Sequence, residues 1–249
     1  MPAASGSQGV QRWRRRLALA LLPALWPALF AFAGNQREEA LADPVRVALS
    51  RAITDERPPQ PRHDNIEVRI RYLHWLGEMS QRLSSRVRDP LVRRELLETV
   101  WYESTRAGLE PELVLGLMQV ESAFRKYAVS HAGARGYMQV MPFWTRVIGD
   151  GDPRKLFHMQ TNLRYGCSIL RMYIDMERGD LFLALGRYNG SRGRPDYPNA
   201  VLAAWKRWQY QESAVTVSAP PAEHAPRAKT LPDVPARNPF SPQRIAGAY

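Results

Sequence analysis

Apolar residues at Ile66, Ile70, Leu73, Leu76, Leu83 and Val87 recur near 3.6-residue spacing, which predicts an amphipathic helix over about 66–87. Asp89-Pro90 then gives an N-cap followed by proline at the first helical position. The next helix carries Val92, Leu96, Leu97, Val100 and Trp101 on one side and stops at Gly108. Glu110-Pro111 opens a third helix, running to about Phe124. It is apolar on every side except at Glu112, Gln119 and Glu121, the pattern of a helix inside a bundle.

The stretch 125–142, RKYAVSHAGARGYMQVMP, breaks the pattern. Gly133 and Gly136 suit a loop with unusual dihedrals or close ligand approach. A short helix is expected from Pro142, a turn at Asp150-Gly151-Asp152-Pro153, and further helices over about 160–177, 180–188 and 198–210. There is no convincing period-2 run, although a small hairpin near 136–141 is compatible with the residues. The fold class is therefore mostly α. Residues 34–65, with Pro58, Pro59 and Pro61, read as a flexible linker, within which 38–51 has room for a short helix around Pro44. Residues 66–106 read as a helical N-terminal extension and 107–210 as the main domain. Residues 211–249 are rich in Pro and Ala and read as a disordered tail.

The first 33 residues change the picture. Arg12, Arg14, Arg15 and Arg16 precede the apolar run Leu17–Ala33, which ends in the small-x-small pattern Ala31-Phe32-Ala33. This is the layout of a signal peptide cleaved after Ala33, with an uncleaved inner-membrane anchor as the alternative. Pro23 and Pro27 weaken the anchor reading. Lys and Arg outnumber Asp and Glu by 35 to 24, which permits an anionic partner, but export argues against nucleic acid. The expected location is the periplasm or cell envelope. Cys167 is the single cysteine, so an intrachain disulfide or a cysteine metal site is excluded; at helical spacing with Leu163 and Leu170, it reads as a buried thiol. The five His are scattered, and neither a metal nor a cofactor is expected. No Walker-type phosphate loop or nucleophile elbow occurs.

Glu121 is the candidate for chemistry. Val114, Leu117 and Met118 precede it by seven, four and three residues and share its helix face. Desolvation there would raise its pKa and keep it protonated, as a general acid requires. The alternative is a helix-end Glu that reaches water. Tyr137-Met138-Gln139 offers an aromatic ring, an apolar surface and an amide, a mixture suited to a sugar; alternatively the loop is an ordinary turn with Met138 and Val140 in the core. Tyr188-Asn189-Gly190 reads either as a second wall or as a plain helix-ending turn.

Four ordered blocks carry a resemblance. Glu121-Ser122-Ala123-Phe124 with Ala128-Val129-Ser130, then Gly133-Ala134-Arg135-Gly136-Tyr137-Met138-Gln139-Val140-Met141-Pro142, then Asn162 with Tyr165-Gly166, then Ala184-Leu185-Gly186-Arg187-Tyr188-Asn189-Gly190-Ser191 followed by Tyr197-Pro198, together resemble the soluble lytic transglycosylase (SLT) family. That family has a goose-type-lysozyme-like fold, and the resemblance covers about 107–210. Tyr137 departs from the smaller aliphatic residue common there, and the Trp144 segment is less typical.

The resemblance implies cleavage of peptidoglycan between N-acetylmuramic acid and N-acetylglucosamine. It implies Glu121 as the single catalytic acid/base and a 1,6-anhydro product without net hydrolysis. It further implies that Met138 and Gln139 line sugar subsites, that Tyr188 bonds near the carboxylate or acetamido group, and that Asn189 shapes that wall. Ser122, Ser130 and Tyr197 are further candidate substrate-binding residues. The expected partners are peptidoglycan glycan strands and proteins of an envelope machine. A lysozyme-like hydrolase of the same bond and a non-catalytic wall-binding or secretion-associated protein are the alternatives.

Overall fold

The computed structural model describes residues 36–54 and 65–210. The expected signal peptide and C-terminal tail lie outside the described residues. Eight α-helices follow in chain order: α1 (Asp43–Thr54), α2 (Ile66–Leu83), α3 (Pro90–Arg106), α4 (Pro111–Glu121), α5 (Phe143–Ile148), α6 (Met159–Met176), α7 (Leu181–Asn189) and α8 (Asp196–Trp208), with a 3-10 turn at Pro153–Phe157. No strand is formed among the described residues. Where a hairpin was compatible with the sequence, pairing is confined to single-residue bridges, Arg135 meeting Val129 on one side and Val140 on the other.

Local chemistry sets the helix boundaries. Asn65 caps α2 by accepting from the Glu67 amide at 2.7 Å. Asp89 caps α3 by accepting from Leu91 at 2.8 Å and Val92 at 3.3 Å, with Pro90 in the first turn where no amide is needed. Asp180 caps α7 through the Leu183 amide at 2.9 Å. Gly190 ends α7 in the left-handed region, at φ 75°.

Within the 34–65 segment, the short helix for which 38–51 has room forms as α1 at 43–54, because Leu49 and Ile53, four residues apart, are buried where α1 packs on α6. On α2 the first half of the predicted apolar face is exposed at Ile66, Ile70 and Leu73, where Tyr72, Trp75 and Met79 are buried instead, while Leu76 is half-buried and Leu83 and Val87 are buried as expected. The aromatic face wins because its rings meet Trp101 of α3, at 5.2 Å for Tyr72 and 5.0 Å for Trp75. The Trp75 indole N–H also donates to Glu112 of α4 at 2.8 Å, so a large ring is buried without orphaning its polar atom.

The bundle centres on α4 and α6. Leu113, Val114, Leu115, Leu117 and Met118 of α4 are all buried, as its all-round apolar pattern predicts. The helix lies along α8, and the approach is closest at Gly116, where an added Cβ would sit 2.6 Å from the Trp205 backbone nitrogen. α6 is surrounded by α1, α3 and α7. Between α3 and α6, the buried Glu103 accepts from Arg164 at 3.0 Å and Arg106 at 3.1 Å. Burial raises its carboxyl pKa, opposed by the two guanidiniums. Cys167 is buried as expected, and burial pushes its thiol well up, so it is not a thiolate nucleophile.

Candidate active site

Glu121 is the last residue of α4 and is 2% exposed. Its Oε1 accepts from the Tyr197 hydroxyl of α8 at 2.5 Å. Its Oε2 is buried with no hydrogen-bond partner among the described residues. Desolvation raises its pKa to about 8, while the Tyr197 bond pulls it the other way. Among the described residues no second carboxylate contributes to this shift. The pairing also pushes Tyr197 well above the ordinary phenol value, burial being the first cause and the charge of Glu121 the second. The carboxyl is therefore held protonated near neutral pH by dry surroundings, with one phenol ready to steady its anion.

The chain turns sharply just past Glu121. Ala123 and Phe124 both have positive φ, 50° and 64°, a conformation that costs non-glycine residues about 1–3 kcal/mol each. The turn is held by several contacts. Ser122 Oγ donates to the Tyr137 carbonyl at 2.7 Å, and Phe124 packs edge-on against Trp208 at 5.5 Å. Gln139 is a third strained residue, at φ 49°. Strain gathered at both ends of one loop beside a buried acid is a mark of function rather than of packing.

That loop, 125–142, is tied down from outside by Asn162 of α6. Its Oδ1 accepts from the Met138 amide at 2.8 Å, and its Nδ2 donates to the carbonyls of Arg135 and Leu156, both at 2.8 Å. Gly136, at φ 78°, lies against this amide, and a Cβ there would meet Asn162 Nδ2 at 2.4 Å. Tyr188 of α7 completes the support by donating to the Met138 carbonyl at 2.8 Å. Burial pushes its phenol well up, with Glu121 the next cause.

The residues expected at the site divide into two groups. Glu121, Tyr197, Tyr188 and Ser122 come together around the carboxyl and the start of the loop. Asn189 stands at the edge of the adjoining cavity of about 540 Å³, which Tyr197, Arg187 and Arg194 also line. Its Nδ2 donates to Ser191 Oγ at 3.1 Å and its Oδ1 is buried without a partner. Met138 differs from expectation. Its side chain is fully buried, with Sδ 4.0 Å from Cys167 Sγ, so its backbone alone serves the site and the core reading of Met138 and Val140 is the observed one. The Gln139 amide turns inward, donating to the carbonyls of Gly136 at 2.8 Å and Ala128 at 3.1 Å. Ser130 braces the loop, accepting from the Ala134 amide at 3.1 Å, and makes no bond to the carboxyl.

Other acids are engaged elsewhere. Asp152 caps the 3-10 turn and pairs with Arg154 at 2.9 Å, while Asp150 pairs with Lys155 at the surface. Among the described residues no group of three or more His, Cys, Asp or Glu is placed to hold a metal, and no helix is long and apolar enough to cross a membrane. The sequence did not point to Gln36, whose carboxamide is 4% exposed and accepts from Trp144 Nε1 at 2.9 Å. A lone glutamine in a polar segment carries no pattern that would find it.

The transglycosylase SLT domain family matches residues 98–201. The match covers about two-fifths of the chain, and every site residue named above except Gln36 and Trp208 falls within it. The chain is 42% identical over 95 residues to the membrane-bound lytic murein transglycosylase C of Actinobacillus pleuropneumoniae serotype 5b (strain L20), covering 38% of this chain and 24% of that protein. It is 32% identical over 115 residues to the protein of the same name from Haemophilus influenzae (strain PittEE), covering 40% and 32%. The similarity thus spans about a quarter to a third of those relatives' length. Among solved structures, an inactive mutant of the lytic transglycosylase Slt from Pseudomonas aeruginosa aligns with TM-score 0.42 and 20% identity over 70% of this chain and 38% of that one. The matched stretch begins inside α3 and includes Glu103, whereas α1, α2 and the segment holding Gln36 precede it.

Proposed function

We propose that this chain is an exported peptidoglycan lytic transglycosylase acting in the cell envelope, with residues 107–210 as its catalytic domain. The observation that carries the reading is the Glu121 carboxyl: buried, protonated near neutrality, bonded to Tyr197 alone and set at the strained edge of the SLT loop. The signal-like segment 1–33 supports export, and its alternative role as an anchor accords with the word membrane-bound in the relatives' name.

The arrangement suits a reaction that needs one carboxyl. Protonated Glu121 gives its proton to the glycosidic oxygen as the bond to the muramyl C1 breaks, and is left as carboxylate. Tyr197, already bonded to Oε1, steadies that charge. The carboxylate then takes the proton of the muramyl C6 hydroxyl while O6 closes on C1, giving a 1,6-anhydro ring and restoring the acid. Ordinary glycosidases use a second carboxylate for a nucleophile or a water. Here the nucleophile belongs to the substrate and is already tethered, so little orientational freedom remains to be lost. That no second acid among the described residues shifts Glu121 fits this route.

Digestion of purified sacculi followed by mass measurement of the products tests the reading. Anhydro-muramyl ends are expected, and their loss by orders of magnitude in Glu121→Gln. Reducing ends would indicate hydrolysis of the same bond, and an undegraded sacculus would indicate a wall-binding protein.

A further inference from the structure

Residues 36–42 precede α1 without regular secondary structure, and their side chains reach Trp144, Arg146 and Arg187. The Gln36 Oε1 accepts from two donors, the Trp144 indole N–H at 2.9 Å and the Met141 backbone N–H at 3.3 Å. Its Nε2 is buried beside the Tyr188 phenol, whose pKa the Gln36 side chain lowers by hydrogen bonding against the larger effect of burial. Tyr188 in turn feels the charge of Glu121. The next residues pin the segment across the bundle. Glu38 pairs with Arg146 of α5 at 3.7 Å, and Glu39 with Arg187 of α7 at 2.7 Å. Arg37 and Glu39 also form part of the wall of the cavity that Tyr197 and Asn189 line.

Three features of this seat are those of a ligand rather than of a core contact. The buried group is a primary carboxamide, and its oxygen sits in a fork of two N–H donors. Most buried polar atoms of a packed core are hydrogen-bonded, but here Asn189 Oδ1 and Glu121 Oε2 are both buried with no hydrogen-bond partner among the described residues. The ion pairs that hold the segment are at the surface, where such pairs contribute little. The chemical group that shares a carboxamide's shape and hydrogen-bonding pattern in the proposed substrate is the N-acetyl group of its sugars.

Resting on the function proposed above, we infer that residues 36–41 are an intramolecular ligand of the cleft, with Gln36 filling the place of a sugar N-acetyl group between Trp144 and Met141. Glycan must displace the segment to bind, and the Trp144 indole N–H reads the acetamido oxygen once Gln36 has left. Trp144 is thus a specificity residue for N-acetylated sugars, and Gln36 lowers the apparent affinity by the fraction of time it occupies the fork.

The test uses the full-length chain, with tri-N-acetylchitotriose as the probe. Gln36→Ala should bind the trisaccharide about tenfold more tightly than wild type if the fork is filled about nine-tenths of the time. Glu38→Ala with Glu39→Ala should move affinity the same way, and raising salt should do so for wild type. Trp144→Phe should weaken binding in the Gln36→Ala background, with circular dichroism reporting on the fold. Hydrogen exchange gives a readout independent of turnover: saturating trisaccharide should speed exchange at residues 37–41 in wild type. Unchanged affinity in Gln36→Ala, or exchange at 37–41 that ignores the sugar, overturns the inference. If sacculi are still cleaved to anhydro products in that case, the function stands without it. If wild type and Gln36→Ala alike neither bind the sugar nor cleave sacculi, both fall.

Discussion

The Tyr197 hydroxyl meets Glu121 Oε1 at 2.5 Å across the interface of α4 and α8, joining residues 76 positions apart in the chain. The two helices bring it about in different ways. α4 delivers the carboxyl at its last residue, with an apolar face behind it. α8 delivers the phenol from its first turn, because the Gly116 contact with Trp205 fixes how closely the two helices lie. One oxygen bonded and one bare is an arrangement that favours the neutral acid while keeping a partner ready for the anion.

The first prediction is a stability dependence on pH. The Glu121 carboxyl has its folded pKa raised from 4.5 to about 8, so the folded chain holds a proton that the unfolded chain has released across that window. Stability therefore falls as pH rises from about 4.5 to 8 and flattens above it. The full effect is on the order of a few kcal/mol, given roughly 1.4 kcal/mol per pKa unit. Glu121→Gln, neutral at every pH, should match wild type in denaturant midpoint near pH 4.5 and exceed it at pH 8.5. Parallel curves for the two proteins would refute the raised pKa.

Tyr197→Phe separates acid from base. Losing the hydroxyl removes the one interaction that lowers the Glu121 pKa, so the alkaline limb of kcat/KM should move to higher pH. The anion loses its partner at the same time, so kcat at the optimum should fall about 100- to 1000-fold, the range expected for loss of one charge-stabilising donor. A limb that stays in place, or moves to lower pH, would mean that the phenol does not hold the carboxylate in the working enzyme.

The legibility of the chain differed from element to element for physical reasons. α4 was readable because an all-round apolar helix has one home, the interior, and α3 and α7 because Asp89, Pro90 and Asp180 are cap chemistry written locally. The first half of α2 was misread because apolar residues lie on both of its sides. The choice was made by Trp101 and Glu112, which lie on other elements. At the site, Glu121 was legible from its helix face and from the ordered motif blocks. Met138 was named for a side chain that proved to be core, because a motif position does not say whether side chain or backbone faces the cleft. The role of Gln36 was unreadable, since it consists entirely of contacts more than a hundred residues away in sequence.

Gly116→Ala tests the helix contact itself. An added Cβ would stand 2.6 Å from the Trp205 backbone nitrogen and 2.8 Å from its Cα. Backbone cannot turn aside as a side chain can, so α8 must shift. Overpacking of this kind typically costs about 1–3 kcal/mol. The shift also moves Tyr197 away from Glu121, so kcat should drop by more than the loss of folded protein explains, with KM less affected. A variant that is destabilised but fully active per folded molecule would show that the α4–α8 approach does not set the Glu121–Tyr197 distance.

Asn162→Ala tests the loop. Asn162 answers three backbone groups at once, the Met138 amide and the carbonyls of Arg135 and Leu156, and is fully buried. Truncation takes this partner from the Met138 amide and the Leu156 carbonyl, at about 1–3 kcal/mol for each that is left unpaired where water cannot reach, while the Arg135 carbonyl keeps the Val140 amide at 3.0 Å. The loop also carries the strain at Gln139, which persists only while its surroundings hold it. Released from α6, the 136–141 segment should relax toward ordinary dihedrals, carrying with it the Met138 carbonyl that anchors Tyr188 and the Met141 amide that faces Gln36. Asn162 touches neither Glu121 nor the proposed sugar path, so it is a positioning residue, and its loss should appear in two separable measurements. The denaturant midpoint should fall. Hydrogen exchange at Met138–Met141 should also quicken under native conditions, where the global fold is still intact. Conservative replacement by Asp keeps the acceptor for the Met138 amide but sets an anion against two carbonyls, so it should rescue neither property. If Asn162→Asp restored native exchange at Met138, the amide's donor half would have no part in holding the loop.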